Sequence, residues 1–205
     1  MFFHMGREQM LTLTKKEYPE KISDHIVVFD NILAGDFCDE LIAEFNMKDE
    51  WNFAQTGLDA SVNKSIRNVD TISLSTAEVI QVNLKIREKI EKTLFHACGE
   101  VIRQYQRLFP FCRVIEGLGF ELLRYEVGGF YKLHTDSFKR VPRELAFSFS
   151  LNDDYEGGEW AFFCGEKIMK PAKGSVIVFP ANFMFPHEIM PVTRGTRYSV
   201  VTWMI

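Results

Sequence analysis

The chain has 205 residues, of which 46% are apolar, 14% are aromatic and 25% are charged. This composition excludes a collagen, a coiled coil and a disordered chain, and the length suits one large domain or two small ones. The formal net charge of −4 disfavours a nucleic-acid partner, because phosphate backbones are bound by basic surfaces.

The sequence favours an intracellular, cytoplasmic protein without a membrane partner. No stretch approaches the roughly 20 uncharged apolar residues of a membrane span. Residues 1–10 lack the unbroken apolar run of a secretion signal. The cysteines have no recurring spacing, so each is interpreted as a small buried side chain rather than a metal ligand or half of a disulfide. They are Cys38, Cys98, Cys112 and Cys164.

Helices are predicted in the first half of the chain. One begins near Asp36, after the strand-like apolar run 26–29, and carries apolar side chains at three- and four-residue steps. Another begins at the capping-box sequence Ser-Thr-Ala-Glu of residues 75–78 and continues, as one long helix or two, towards Pro110. The polar stretch 53–71 between them is interpreted either as a lid over a binding site or as a solvated loop without a role.

Short apolar runs and alternating patterns replace the helical spacing after Arg113. They predict strands over residues 119–127, 131–136, 145–152, 160–163, 175–179 and 196–203. No helices interleave these strands, so the expected fold class is α+β, a double-stranded β-helix or jelly roll with the helices packed on one sheet. We expect a single domain over residues 1–205, with mainly helical support and a lid in 1–112 and the jelly-roll core in 113–205.

One candidate metal site combines His134, Asp136 and His187. Residues i and i+2 of a strand point to the same side, so His134 and Asp136 can grip one ion. His187 follows three strand candidates later, where a neighbouring strand can bring it opposite the pair. Two imidazoles and one carboxylate are typical of non-haem Fe(II) oxygenases, because they leave positions open for a 2-oxo acid and dioxygen. The alternative is a non-catalytic jelly-roll module with a structural metal or a carbohydrate in its cavity.

A candidate anion anchor lies ten residues after His187. On an extended segment Arg197, Ser199, Val201 and Trp203 share one face, so the cation and the indole would border one cavity. A guanidinium makes a charge-assisted two-point contact with a carboxylate, which suits a dicarboxylate cosubstrate. An arginine on the surface is the alternative interpretation.

The carboxy-terminal half resembles the 2-oxoglutarate and Fe(II)-dependent dioxygenases, and within them the prolyl 4-hydroxylase branch. The resemblance lies in an ordered set of motifs: Arg124-Tyr125, Gly128, Tyr131, His134-Thr135-Asp136, Gly157-Gly158-Glu159, and His187 through Arg197 to Trp203. It implies that His134, Asp136 and His187 hold Fe(II), and that Arg197 and Tyr125 bind 2-oxoglutarate. It also implies dioxygen as cosubstrate, with ascorbate as a further candidate cofactor.

The same resemblance suggests a substrate. It implies that Tyr131, Arg143 and Trp203 surround a proline of a protein or peptide, and that Arg67 belongs to a lid formed by residues 53–71. A related oxygenase acting on a free amino acid or other small molecule is the alternative. One departure is Phe149, where some relatives place a tyrosine that contacts 2-oxoglutarate. Neither the target protein nor the oligomeric state is indicated.

Overall fold

The structure is a computed structural model, which describes residues 19–46, 51–56, 61–75 and 84–205. Its helices are α1 (Gly35–Asn46) and α2 (Leu84–Leu108), with short 3-10 turns at Ile22–His25 and Phe163–Gly165. Its strands are β1 (Val27–Phe29), β2 (Asn52–Phe53), β3 (Arg67–Asn68), β4 (Asp70–Ser73), β5 (Glu121–Tyr125), β6 (Phe130–His134), β7 (Leu145–Ser150), β8 (Glu156–Gly157), β9 (Trp160–Phe162), β10 (Lys167–Met169), β11 (Val176–Pro180), β12 (His187–Ile189), β13 (Val192–Arg194) and β14 (Arg197–Met204). In the described part of the chain, neither helix is long and apolar enough to cross a membrane.

Two antiparallel sheets form the double-stranded β-helix that the strand pattern predicts. The major sheet has the order β1-β11-β7-β14-β5-β4-β2, and the minor sheet has the order β10-β9-β12-β6-β3. Strands β8 and β13 pair separately as a two-stranded ribbon. Apart from the pairs β9–β10 and β2–β4, neighbouring strands of the two sheets are far apart in sequence, so the fold brings distant residues side by side.

The major sheet separates two apolar clusters, and strand β7 contributes to both. Phe147 and Phe149 face the outer cluster, where α1 and α2 cover the sheet through side chains such as Leu41 and Leu94. Ala146, one residue out of phase, faces the inner cluster between the two sheets. The helices therefore pack on one sheet, as expected, and leave the space between the sheets for the cavity described below.

The first half of the chain contains more strand than the sequence suggested. The pattern predicted only the strand at 26–29, whereas β2, β3 and β4 also pair within the two sheets. These strands have two to four mostly polar residues, too few to show an alternating pattern. Residues 53–71 are thus tied at both ends to β-sheet, and whether they move as a lid stays a prediction.

Helix α2 runs unbroken from Leu84 to Leu108, so the sequence alternative of two helices is wrong. Gly99 lies inside it without interrupting it. The capping box at 75–78 falls outside the described residues except for Ser75, whose hydroxyl oxygen accepts a hydrogen bond from the Phe120 backbone N–H at 2.8 Å. Helix α1 begins at Gly35, so Asp36 lies in its first turn, close to the predicted start.

Candidate active site

Strand pairing brings the two histidines of the candidate metal site together. His187 on β12 lies directly opposite His134 on β6, and Asp136 follows two residues after His134. The Asp136 carboxylate oxygens lie 3.4 Å from His134 Nε2 and 3.7 Å from His187 Nε2. One ligand atom of each of the three residues lies within 4.8 Å of the other two. These distances suit three ligands that surround one metal ion.

Backbone carbonyl groups orient both imidazole rings. His134 Nδ1 lies 2.8 Å from the Lys132 carbonyl oxygen, and His187 Nδ1 lies 3.0 Å from the Phe185 carbonyl oxygen. A neutral imidazole donates its proton to such an oxygen from Nδ1 and leaves the lone pair on Nε2. Both Nε2 lone pairs are therefore directed towards Asp136, where an ion would sit.

Burial sets the charges of this cluster. Desolvation lowers the pKa of His187 to about 4, so this imidazole is neutral near pH 7. Burial by itself raises the pKa of the Asp136 carboxyl, but the neighbouring His187 and His134 rings and the Trp203 side chain lower it well below its usual range. A neutral imidazole beside an ionised carboxylate is the protonation state that a divalent cation requires.

Two arginine–aromatic stacks flank the cluster. The Tyr131 ring stacks on His134, with ring centroids 3.5 Å apart, and the Arg67 guanidinium lies 4.7 Å from the Tyr131 centroid. On the other side, the Arg143 guanidinium lies 3.7 Å from the centroid of a Trp203 ring. These stacks restrict the aromatic rings at the entrance to the cluster.

Arg197 lies deep between the sheets at the start of β14, opposite Tyr125 of β5. Its side chain is 2% exposed, and its guanidinium lies 4.8 Å from the Tyr125 ring centroid and donates to Ser199 Oγ at 3.3 Å. Within the described residues, no carboxylate forms a salt bridge with Arg197. A buried cation without a counter-ion is unfavourable, so this position favours an anionic ligand.

One cavity of about 420 Å³, its open mouth included, joins Arg197 to the histidine–aspartate cluster. The four residues of the β14 face that the alternation placed together all line it, namely Arg197, Ser199, Val201 and Trp203. The remaining candidates that line it are Arg67, Tyr125, Tyr131, His134, Asp136 and His187. The cavity has the two features that a dicarboxylate bound to a metal requires, a cation at one end and ligand atoms at the other.

Arg143 is the one candidate that does not line this cavity. Its Nη1 donates to the Asp136 backbone oxygen at 3.0 Å while its guanidinium covers Trp203. Arg143 therefore contacts a wall residue of the cavity without lining the cavity itself.

Phe149, the departure noted in the sequence, lies outside the cavity. Phe149 faces the outer cluster beneath the helices and is not among the residues that line the cavity. Ser148, its neighbour on the opposite face, lines the cavity instead.

Two cavity residues were missed by the sequence reasoning. Trp160 Nε1 and Ser148 Oγ are buried and have no hydrogen-bond partner among the residues that the structure describes. Both side chains line the cavity. Only the strand register shows which side they face, although the position of Trp160 directly after the Gly157-Gly158-Glu159 motif was a usable signal.

A second opening, called here the outer groove, begins at the same cluster. It is lined by Thr56, Ser61, Asn63, Ile66, Tyr131, His134, Thr135 and Phe138. His134 and Tyr131 also line the inner cavity, so the groove leads from the surface to the cluster.

Comparison with known proteins agrees with this geometry. Residues 120–205 match the family model of the 2OG-Fe(II) oxygenase superfamily. A PKHD-type hydroxylase of Synechococcus sp. (strain JA-2-3B'a(2-13)) is 36% identical over 90 residues, which cover 39% of each chain. A PKHD-type hydroxylase of Maricaulis maris is 30% identical over 125 residues, 58% of this chain and 52% of the relative. The match thus spans about two fifths to one half of the length of these relatives.

Solved structures share the fold at low sequence identity. A prolyl hydroxylase of Trichoplax adhaerens, in complex with a hypoxia inducible factor oxygen degradation domain peptide fragment, superposes with a TM-score of 0.73 at 18% identity, covering 89% of this chain and 84% of that one. A Pseudomonas putida prolyl-4-hydroxylase gives a TM-score of 0.63 at 21% identity, covering 88% and 91%. The carboxy-terminal part of the chain is thus similar to the 2OG-Fe(II) oxygenase superfamily in sequence, and the solved prolyl hydroxylases share its fold.

Proposed function

We propose that the chain is a 2-oxoglutarate- and Fe(II)-dependent dioxygenase that hydroxylates a prolyl residue of a protein or peptide. The observation that carries this proposal is that the Arg197 guanidinium, which has no carboxylate partner among the described residues, and the open three-residue cluster line one cavity. A purely structural metal site would normally close its coordination sphere with a fourth protein ligand. In the described part of the chain, the group of potential ligands has only three members.

The donor set of the cluster fits Fe(II). Two neutral imidazoles and one carboxylate on one face are the ligands of non-haem iron oxygenases. His134, Asp136 and His187 would hold the ion. With 2-oxoglutarate and dioxygen, bound iron supplies the oxidation that no side chain can perform, giving succinate, carbon dioxide and a hydroxylated substrate.

The protein's own contribution is binding and positioning. Arg197 neutralises the distal carboxylate of 2-oxoglutarate, and Tyr125 lies against the same guanidinium. Tyr131 and Trp203 offer two aromatic walls beside the cluster, which suit a flat apolar pyrrolidine ring. The walls also exclude water from the reacting atoms.

The outer groove favours a peptide over a small molecule. A free amino acid needs a pocket that closes around it, whereas a polypeptide needs a channel open to the surface at the reactive centre. The groove supports such a channel because it reaches His134 and Tyr131 from outside. A cytoplasmic location and the use of ascorbate belong to this proposal as well, without a structural feature of their own.

The test is succinate release from 2-oxoglutarate with Fe(II), combined with mass spectrometry of proline-rich peptides or host proteins incubated with the chain. We expect succinate release and a gain of one oxygen on a peptide, and loss of both in His134→Ala. Equal turnover in the wild type and the variant would contradict the metal assignment. Turnover in neither, with failure to bind 2-oxoglutarate, would favour a non-catalytic binding module.

A further inference from the structure

Positive charge is concentrated around the outer groove of a chain that is acidic overall. Residues 61–68 and 131–144 supply most of the groove lining and contain six Lys or Arg residues against two carboxylates, Asp136 and Glu144. The formal net charge of the whole chain is −4, so this surface has the opposite sign to the average.

The exposed cations are close in sequence to residues that line the outer groove. The exposed Lys64 is adjacent to Asn63, and the exposed Lys132 is adjacent to Tyr131. The cations that follow the lining residue Phe138 are Lys139 and Arg140, which occupy an exposed turn closed by the Phe138–Val141 bridge. Arg67 and Arg143 lie further in, stacked on Tyr131 and Trp203.

None of these six cations forms a salt bridge within the described part of the chain. Elsewhere basic side chains pair with carboxylates, as in Lys173–Asp39 at 2.6 Å and Arg124–Asp70 at 2.8 Å. Lys64 lies over the Phe53 ring, and the two inner arginines donate only to backbone oxygens and stack on rings. The surface charge at the groove is therefore left available to a ligand.

We propose that the outer groove selects acidic polypeptide segments, so that the target proline is flanked by Asp or Glu. This inference rests on the proposed function and names the class of its substrate. Unpaired cations around a groove raise the association rate and affinity of acidic ligands and repel basic ones. A short acidic peptide is favoured over a long polyphosphate. The polyphosphate would extend beyond the groove, where the net negative charge of the chain would repel it.

The test uses labelled peptides of Glu-Pro-Ala, Gln-Pro-Ala or Lys-Pro-Ala repeats, with fluorescence anisotropy as the readout. At low salt we expect the full chain to bind the Glu peptide about tenfold more tightly than the Gln peptide, with the difference reduced at high salt. The double variant Lys139→Glu/Arg140→Glu should lose most of this preference. The matched control Lys92→Glu/Arg103→Glu makes the same charge change on exposed positions of α2 and should keep it.

Several outcomes would overturn the inference. They are equal binding of the three peptides, binding of none, an equal loss in the α2 control, or tighter binding of a single-stranded oligonucleotide than of the Glu peptide. Anisotropy needs neither turnover nor oxygen, so it is read separately from 2-oxoglutarate binding. If the proposed function is wrong, the chain should fail to bind 2-oxoglutarate, whatever the anisotropy of the peptides shows.

A second inference rests on an independent observation, the unpartnered indole of Trp160. Its side chain is 6% exposed, and its ring centroid lies 5.4 Å from that of His187 and 5.7 Å from the Arg197 guanidinium carbon. The indole thus lies near both the candidate metal site and Arg197, while Nε1 has no hydrogen-bond partner within the described part of the chain. Ser148 Oγ, with the side chain 2% exposed, is unpartnered in the same cavity.

We infer that Trp160 Nε1 and Ser148 Oγ donate hydrogen bonds to the 2-oxoglutarate that Arg197 anchors. Leaving two buried donors unpaired is unfavourable, and an acidic ligand lying between Arg197 and His187 would satisfy both. Trp160 and Ser148 would then be cosubstrate-binding residues alongside Arg197.

Calorimetric titration of 2-oxoglutarate into the Mn(II)-loaded chain without oxygen tests this assignment. Because hydrogen bonds to charged groups are the stronger ones, Trp160→Phe should raise the Kd about tenfold, and Ser148→Ala should raise it by a smaller factor. Ser23→Ala, in the 3-10 turn Ile22–His25 and in the lining of neither the cavity nor the outer groove, is the control. Should Trp160→Phe fold poorly, the indole N–H resonance of the wild-type, Zn(II)-loaded chain gives a second readout, since it should move on adding 2-oxoglutarate. An unmoved resonance, or unchanged Kd values in a folded variant, would overturn the assignment, whereas no binding by the wild type would count against the proposed function.

Discussion

The Arg143 guanidinium covers the Trp203 indole at 3.7 Å and at the same time donates from Nη1 to the Asp136 backbone oxygen at 3.0 Å. One side chain thus links a wall of the cavity to the backbone of Asp136, the residue that supplies the carboxylate of the candidate metal site. The Asp136 backbone N–H is held as well, by the Ala181 carbonyl oxygen at 3.2 Å. Arg143 therefore acts in this structure as a positioning residue for the metal site and the indole.

Replacing Arg143 by methionine should weaken metal binding. The change removes the hydrogen bond to the Asp136 backbone and leaves the carboxylate less well oriented, and partners of this kind typically contribute about 10- to 100-fold in metal affinity. Titration with Mn(II) measures the effect. Arg140→Met, a few residues away in an exposed turn, removes the same charge without touching Asp136 and should leave metal affinity unchanged. If Arg143→Met binds Mn(II) as tightly as the wild type, the positioning role is wrong.

A second prediction concerns Gly158, which lies against the Arg197 stem. Gly158 has φ +66, and a Cβ added there would lie 3.1 Å from Arg197 Cδ and 3.0 Å from Val192 Cγ2. Gly158→Ala should therefore displace the guanidinium and also strain the backbone, at a cost of about 1–2 kcal/mol in the free energy of unfolding.

Gly165→Ala provides the matched control for this change. Gly165 has φ +93 but nothing within 4 Å of the added Cβ, so its substitution introduces strain alone. Urea unfolding should show similar destabilisation in both variants, whereas 2-oxoglutarate titration should show weaker binding only in Gly158→Ala. Equal 2-oxoglutarate affinity in the two variants would show that Gly158 does not position Arg197.

The arrangement of the candidate site was predictable where it follows from the alternation of side chains between the two faces of a β-strand. His134 and Asp136 share a side as i and i+2, and the β14 face from Arg197 to Trp203 alternates without a bulge. Both relationships are local, so they can be read from the sequence. The position of His187 opposite His134 required one further assumption, namely that the strand carrying His187 pairs with the strand carrying His134.

Other features depended on contacts that are distant in sequence. The choice between Phe149 and Ser148 as the cavity residue depends on which face of β7 meets the helices, and alternation alone does not decide that. The unpartnered state of Trp160 Nε1 depends on every neighbour of the indole. The strands β2 and β3 have two residues each and exist only because β4 and β6 lie alongside them.

A third prediction concerns thiol reactivity, where the structure corrects the expectation that every cysteine is buried. Cys164 is exposed and Cys112 is partly exposed, while Cys38 and Cys98 are buried. Burial raises the pKa of the Cys98 thiol to about 12 and those of Cys38 and Cys112 to about 11. Because the thiolate is the reactive form, we expect a brief iodoacetamide pulse near pH 8 to label Cys164 first.

Mass spectrometry of the labelled peptides checks this order of reactivity. The unfolded chain should take up label at every cysteine, and Cys164→Ser should take up almost none in the folded state during the same pulse. Rapid labelling of Cys98 in the folded chain would mean that the packing of α2 against the sheet differs from that described here.

The last prediction separates the two ends of the cavity. Arg197→Met removes the buried cation while keeping an unbranched apolar stem, so the affinity for 2-oxoglutarate should fall strongly, by about 100-fold, while Mn(II) affinity stays within about twofold. Without ligand, the variant should be no less stable than the wild type, because an uncompensated buried charge has been replaced by an apolar group. Arg194→Met is the control, since Arg194 is exposed and pairs with the exposed Glu156. Calorimetric titration measures the affinity for 2-oxoglutarate, and urea unfolding measures the stability. An unchanged 2-oxoglutarate midpoint in Arg197→Met would mean that the cation binding the cosubstrate lies elsewhere. A large loss of stability would mean that Arg197 has a structural counter-ion.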